Sequence, residues 1–479
     1  MPTPTTVRMA TERIFRFLDA KVRGMLSRVM AVSFDAQEHR DDGGFATGRF
    51  RFHGSPADGW QIERNGRPHL SLGPGYSLLS VRACGVCATD LARRFLPFPL
   101  PQVIGHELLA TDAQGRRFVV EINASCRARG TAPCPRCRSG LDHHCRQRRV
   151  LGIHDLPGGF GPFVLAPVHA ALPVPDSVSD ETAVLVEPLA AALHAVRTVA
   201  IRDGDRVAVL GPRRLGMLVI AALAAERRRG GRDFEIAAVV RRPALAALAR
   251  ALGADVADCI PPGELPPPGS ADVVFDTTGT PDGLAGALVA ARRELHLKST
   301  HGQAAGGLRH LTGVVVDELG FAPLSARAEA DRPLWWDGGA SPSEDPSASC
   351  GTAAECFAQL GPGAVGGAVV ADAAAADAAI RPDPTSEDSL LRPGGRLFVH
   401  PRAGDSAAPL LRQVARRGLR VSSSRCGDFR AVLDLLAKDP GLREIGPRLI
   451  SHRFGPDRLA RAFEVAASSE ALKLSLIHI

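Results

Sequence analysis

Beyond Glu181 the chain alternates between two kinds of hydrophobic pattern. Residues 183–200, 215–229 and 244–252 repeat apolar side chains at the spacing of one helix face, and short apolar-rich segments run between and after them at 206–210, 235–240, 272–276 and 294–298. A helix buries one stripe with a period of about 3.6 residues, whereas a strand covered on both faces is apolar along its whole length. The alternation therefore predicts parallel strand–helix–strand units in a doubly wound sheet. Upstream, to about Leu172, the apolar runs are short and broken by Gly, Pro and Asp, which predicts a compact, mostly β domain with irregular loops. The expected fold class is α/β.

The strand–helix–strand rhythm returns late. Residues 367–372, an alanine-rich helix and residues 391–399 read like a second, degenerate copy of the 272–298 segment, although chance similarity in an alanine-rich chain gives the same letters. Residues 322–349 are rich in Ser, Pro, Asp and Gly, as an irregular surface excursion would be. Residues 320–390 accordingly read as an insertion peripheral to chemistry. Its best alternative role is a subunit contact around Trp335 and Trp336, since exposed aromatic pairs often mark interfaces.

Composition narrows the classes. A chain of 479 residues, 45% hydrophobic, can bury a large core, and its length favours two or three domains. The net charge of +7 comes from scattered arginines with few aromatic residues for base stacking, so no nucleic-acid partner is expected. No apolar run reaches the roughly 18 residues of a membrane span, and no secretory h-region opens the chain, so a cytoplasmic protein without a membrane partner is expected. Residues 1–26 combine basic and apolar positions and read as a dispensable amphipathic extension. Residues 474–479 read as translated adaptor sequence and are set aside.

Ten cysteines are too few for a disulfide scaffold, and six of them fall between Cys84 and Cys145, which points to metal. Cys126, Cys134, Cys137 and Cys145 have the spacing C-x7-C-x2-C-x7-C; four converging thiolates would close a tetrahedral structural zinc site, the alternative being four unrelated free cysteines. A second set comprises Cys84-Gly85-Val86-Cys87-Ala88-Thr89-Asp90, Gly105-His106-Glu107 and Glu187-Pro188-Leu189-Ala190. Mixed Cys/His/carboxylate ligation leaves a position open, as catalytic zinc requires, although each triplet also suits an ordinary core histidine or exposed acid.

Taken in order with Gly158-Gly159-Phe160 and the βαβ opening at Val207, these motifs resemble the zinc-containing medium-chain dehydrogenase/reductase (alcohol dehydrogenase-like) family over residues 79–319 and 424–473. The resemblance implies an N-terminal extension (1–26), a GroES-like catalytic domain (27–186, completed by 429–473) and a Rossmann-like dinucleotide-binding domain (187–428) carrying the 320–390 insertion. It implies Cys87 and His106 as catalytic zinc ligands with Glu107 and Glu187 as alternative carboxylate ligands, Thr89 as the hydroxyl taking the substrate proton, and Asp90 as the carboxylate orienting His106. It gives Cys84 no role beyond packing. The sequence departs from the family in the x7 spacer after Cys126, where the family has x2, and in Ala92, where some members carry a relay histidine.

The third departure lies in the dinucleotide loop. Gly211-Pro212-Arg213-Arg214-Leu215-Gly216 keeps the first and last glycines but places Arg213 where the backbone approaches the pyrophosphate. Val240 stands where an NAD site carries an acid for the ribose hydroxyls, and Arg241 and Arg242 follow, suited to a 2′-phosphate. The reading is an oxidoreductase that moves hydride between a small alcohol or carbonyl substrate and NADP(H), in preference to NAD(H), with one catalytic and one structural zinc. A homo-oligomer is compatible with it. The alternative is a zinc-stabilised, non-catalytic binding or regulatory protein with a degenerate dinucleotide site.

Overall fold

The computed structural model describes residues 29–261, 263–298, 302–328, 331–336, 348–349, 351–468 and 471–478. The N-terminal extension lies outside them. Among the described residues no helix is long and apolar enough to cross a membrane. The chain divides into two compact units, residues 1–187 with 449–479, and residues 188–448. The sequence placed the return to the first unit at residue 429; Phe429–Lys438 and the short helix Pro440–Arg443 fall in the second.

The first unit opens with a four-stranded antiparallel meander, β1 (Met30–His39), β2 (Phe45–Ser55), β3 (Gly59–Arg64) and β4 (Arg67–Leu72). Along β2 every second residue turns inward, so Phe50 and Phe52 are buried beside Trp60 and Ile62 of β3. A seven-stranded sheet follows, built on the long β5 (Tyr76–Val86), with β6 (Glu107–Thr111), β7 (Arg117–Val120), β10 (Phe163–Pro167) and β11 (Ala171–Pro173); β8 (Asn123–Ala124) and β9 (Arg149–Val150) form a separate pair. The strand Lys473–Ile477 lies antiparallel to β5, with Leu474 opposite Val86 and both Leu474 and Leu476 fully buried. Most of the tail set aside in the sequence is thus part of this sheet.

The second unit is one eleven-stranded sheet. Its strands are β12 (Arg206–Leu210), β13 (Glu235–Val240), β14 (Val256–Cys259), β15 (Ala271–Asp276), β16 (Ala291–Leu297), β17 (Gly320–Pro323), β18 (Leu334–Trp336), β19 (Ala348–Ser349), β20 (Val365–Val370), β21 (Leu391–Val399) and β22 (Arg420–Ser423). Their spatial order is β14-β13-β12-β15-β16-β22-β17-β21-β20-β18-β19. The first six strands are mutually parallel, as are the last five, and the two blocks meet antiparallel at β22 and β17.

The inserted segment therefore extends the sheet. Trp335 and Trp336 alternate on β18, face opposite sides and are 2% and 4% exposed, so they are core residues and not an exposed contact. The reason is composition: the Ser/Pro/Asp/Gly run hides a three-residue apolar strand too short to stand out in a sliding reading. The late repeat is real at the level of structure, since β20, the helix Ala373–Ile380 and β21 form a parallel unit, as β15, the helix Pro281–Ala290 and β16 do.

Candidate active site

β5 and β6 are antiparallel neighbours with Gly85 opposite Glu107, so the end of one strand and the start of the next carry Cys87 and His106-Glu107 to the same place. Cys87 caps the short helix Ala88–Leu91: its Sγ accepts from the Thr89 N–H at 3.2 Å, and the Asp90 carboxylate accepts from the Cys87 N–H at 2.9 Å. This reciprocal capping box fixes Cys87 and Asp90 relative to each other. Gly105 has φ +97°, and a Cβ there would lie 2.5 Å from the Phe160 ring, so only glycine lets the chain turn into His106. A Cβ at Gly85 would lie 2.3 Å from Glu107 Oε2 and displace that carboxylate.

Candidate ligand atoms of Cys87, Asp90 and His106 lie within 4.8 Å of one another, as do those of His106, Glu107 and Glu187. Asp90 Oδ1 is 3.3 Å from His106 Nδ1, an ion-pair distance whose angle falls short of a hydrogen bond, which leaves Nδ1 buried without a hydrogen-bond partner. Burial pushes the His106 pKa down, but the Asp90 carboxylate and Cys87 outweigh it and hold it well above its ordinary range. The charges that favour a proton there favour any cation. Glu107 Oε1 pairs with Lys473 Nζ, while Glu107 Oε2 is buried without a partner.

The unpartnered Glu107 oxygen, the His106 imidazole, the Cys87 thiol and the Glu187 carboxylate supply sulfur, nitrogen and oxygen donors in two groups that share His106, a set that fits zinc with a position left open. Thr89, half-buried, stands two residues beyond Cys87. Cys84 is fully buried and its thiol is pushed well above the usual range, first by burial, so it packs and does not react. Sequence reasoning missed Lys473. It is 366 residues from Glu107 along the chain, and only the antiparallel pairing of its strand with β5 brings the two together.

The four lobe cysteines also converge, their sulfurs all within 4.8 Å, with Cys126 Sγ 3.6 Å and Cys134 Sγ 3.8 Å from Cys145 Sγ. The long spacer does not exclude Cys126, because the chain folds back at once: Thr131 N–H donates to the Cys126 carbonyl at 2.9 Å, and Arg127 reaches the Cys137 carbonyl at 2.7 Å. The N–H of Cys137 brings the Cys134 thiol down to about 6, whereas burial pushes Cys137 and Cys145 up. Four converging thiols fit a closed zinc site.

In the second unit, β12 is followed at once by Gly211 (φ +65°), where a Cβ would lie 2.6 Å from the Thr278 side chain. Gly216 lies in the first turn of the helix Leu215–Gly230, where a Cβ would lie 2.4 Å from the Thr277 hydroxyl. Arg213 is half-buried, and its pKa is lowered by burial and then by the charges of Arg214 and Arg242. Val240 is buried. Arg241 lines a cavity of about 430 Å³ with Gly211, Thr278 and Asp282, and its guanidinium donates to the carbonyls of Pro261 and Glu264.

Residues 73–176 match the family described as the alcohol dehydrogenase GroES-like domain. The chain is 32% identical over 199 residues to an L-threonine 3-dehydrogenase of Mesorhizobium japonicum, an alignment covering 39% of this chain and 55% of that relative. The chain thus spans about half the length of the curated relatives it matches. Among solved structures, the L-idonate 5-dehydrogenase of Escherichia coli aligns with TM-score 0.57 and 16% identity over 94% of this chain and all of that one. A Sinorhizobium meliloti chain bound to NADP aligns with TM-score 0.55 and 20% identity over 93% of this chain and all of its own. At these identities the structural likeness is one of fold.

Proposed function

We propose, for a chain that belongs to the zinc-containing medium-chain alcohol dehydrogenase-like family, that it is a zinc-dependent oxidoreductase moving hydride between a small alcohol or carbonyl compound and NADP(H). The observation that carries the reading is that His106 meets Cys87 and Asp90 on one side and Glu107 and Glu187 on the other, with the buried Glu107 Oε2 left without a partner. Zinc held by Cys87, His106 and the Glu107 or Glu187 carboxylate would supply Lewis acidity at the substrate oxygen, and the dinucleotide the hydride exchange. The Thr89 hydroxyl takes up the substrate's proton. Asp90 holds the His106 ring in one orientation, and Lys473 keeps the Glu107 carboxylate in place. Ala92 cannot move a proton, so its release runs through Thr89 and water.

The preference for NADP(H) rests on charge. The charges of Arg214 and Arg242 bear on Arg213, and a phosphate dianion relieves that crowding, whereas the buried Val240 offers the ribose hydroxyls of NADH no acceptor. The same crowding supports a second reading, a chain that keeps zinc but has lost the dinucleotide, because Arg213 stands where glycine lets the pyrophosphate approach. Zinc content and equilibrium titration with both reduced cofactors separate them. Two zincs per chain with tighter NADPH than NADH binding support the dehydrogenase; equal or tighter NADH binding removes the NADP(H) assignment; no binding of either leaves the second reading.

A further inference from the structure

A cavity of about 370 Å³ lies in the second unit where its two parallel blocks meet, lined by Glu294 of β16, Arg420 and Ser422 of β22, Phe321 of β17 and the His194–Glu318 pair. Its volume is that of small-molecule sites. None of these residues belongs to the zinc motifs or to the glycine loop.

Glu294 is 7% exposed and is held in place by a continuous buried ladder. Glu294, His296 and Lys298 alternate and so share one face, and Ser422 and Ser424 share the matching face of the adjoining chain, with His296 opposite Ser422. Lys298 Nζ donates to Ser424 Oγ at 3.0 Å, Ser424 Oγ lies 2.9 Å from His296 Nε2, His296 Nδ1 lies 3.0 Å from Ser422 Oγ, and Ser422 Oγ donates to Glu294 Oε1 at 2.7 Å. An ammonium only donates and an ionised carboxylate only accepts, so every hydrogen in the ladder points toward Glu294 and His296 carries its proton on Nδ1. The ladder fixes one carboxylate oxygen. Among the described residues the other receives no protein hydrogen bond, and it belongs to a residue that lines the cavity. Burial raises the Glu294 pKa, while the Arg420 charge opposes this across the same cavity.

A free carboxylate oxygen on a largely buried residue, beside the exposed Arg420, is a pair of unlike functions at one mouth. We propose that this cavity binds a compact α-hydroxy or α-amino carboxylate, whose carboxylate is taken by Arg420 and whose hydroxyl or ammonium hydrogen is taken by Glu294. A ligand with only one of these groups leaves half of the pair unsatisfied and binds less tightly.

The test is isothermal titration of the zinc-loaded full chain with glycerate and L-serine, against propionate, which lacks the donor, and ethanolamine, which lacks the carboxylate. Glycerate or serine should bind at least about tenfold more tightly than either control, and Glu294→Gln and Arg420→Ala should each weaken that binding by about tenfold or more. The glutamine keeps the acceptor for Ser422, so the fold is retained, and unchanged zinc content and dinucleotide titration verify this. Cys87→Ser should leave the binding intact, which distinguishes this cavity from the zinc site whatever the outcome there. The proposal is overturned if no probe binds up to about 20 mM, if binding survives both cavity variants, or if Cys87→Ser abolishes it.

Discussion

Replacing Lys473 by methionine removes the only salt-bridge partner of Glu107 among the described residues while keeping the length of the side chain. The two side chains are 5% and 1% exposed, so water cannot take over the role of the lost ammonium. Removing one member of a buried ion pair costs about 3–5 kcal/mol, because the remaining charge keeps its desolvation penalty and loses its compensation. Urea unfolding of the chelator-treated protein should show a loss of that size for Lys473→Met. The double variant with Glu107→Leu should recover most of it, since an apolar pair of similar volume is neutral or better in such a position. In the zinc-loaded protein the Lys473→Met loss should shrink, because Glu107 then faces a dication. If Lys473→Met unfolds within about 0.5 kcal/mol of the parent without metal, as a change on the open surface would, the buried pairing is not what holds Glu107 and the reasoning fails.

Two further outcomes are expected. Cys137→Ser should release one zinc and lower the unfolding midpoint, whereas Cys87→Ser should release one zinc with the midpoint nearly kept and turnover abolished; equal losses of stability would erase the division between structural and catalytic metal. His296 is fully buried, and its pKa is driven well below 6.5 by burial and then by Lys298, with His194 adding to the depression and Glu318 opposing it. The unfolded chain then takes up a proton that the native state refuses, so the stability from this residue is complete above about pH 6.5 and falls as pH drops below it, by at most about 1.4 kcal/mol per unit. Urea midpoints at about pH 7.5 and 5.5 should differ more for the parent than for His296→Gln, and identical differences would show that His296 takes no part.

What could be read from the sequence was what local chemistry encodes. The strand 391–399 and the helix beginning at Leu215 coincide with the observed elements, since their apolar runs are bounded by glycine, proline or charge. The metal groups were legible because thiols and imidazoles are rare and their spacing is informative. The helix expected over 183–200 is two pieces, Asp180–Ala183 and Val186–Thr198, with Ser179 capping the first through its hydroxyl, a boundary that hydrophobic spacing alone does not mark. Lys473 and the Glu294 ladder could not be read at all. Both depend on which strands are neighbours, and pairing between distant strands leaves no trace in local pattern.

The order of strands decides what the inserted segment does. By direction β22 belongs to the first parallel block and β17 to the second, yet in the chain β17 follows β16 and β22 follows β21. The first block is therefore closed by a strand that the chain reaches only after passing through the whole of the second. The helices Leu311–Val316 and Pro409–Arg417 lie in these two connections, and one hydrophobic core runs from Ala208 through Phe321 to Val399. Deleting residues 320–390 would remove β17 to β20, leave β21 without either neighbour, and expose the backbone edge of β22, which is the kind of edge that recruits other chains. The deletion variant should accumulate as aggregate, with any soluble fraction eluting well above the mass of one chain. A soluble monomer with an unfolding free energy within about 1 kcal/mol of the parent would mean that the first block closes by itself, and that the segment is the peripheral excursion its composition suggests.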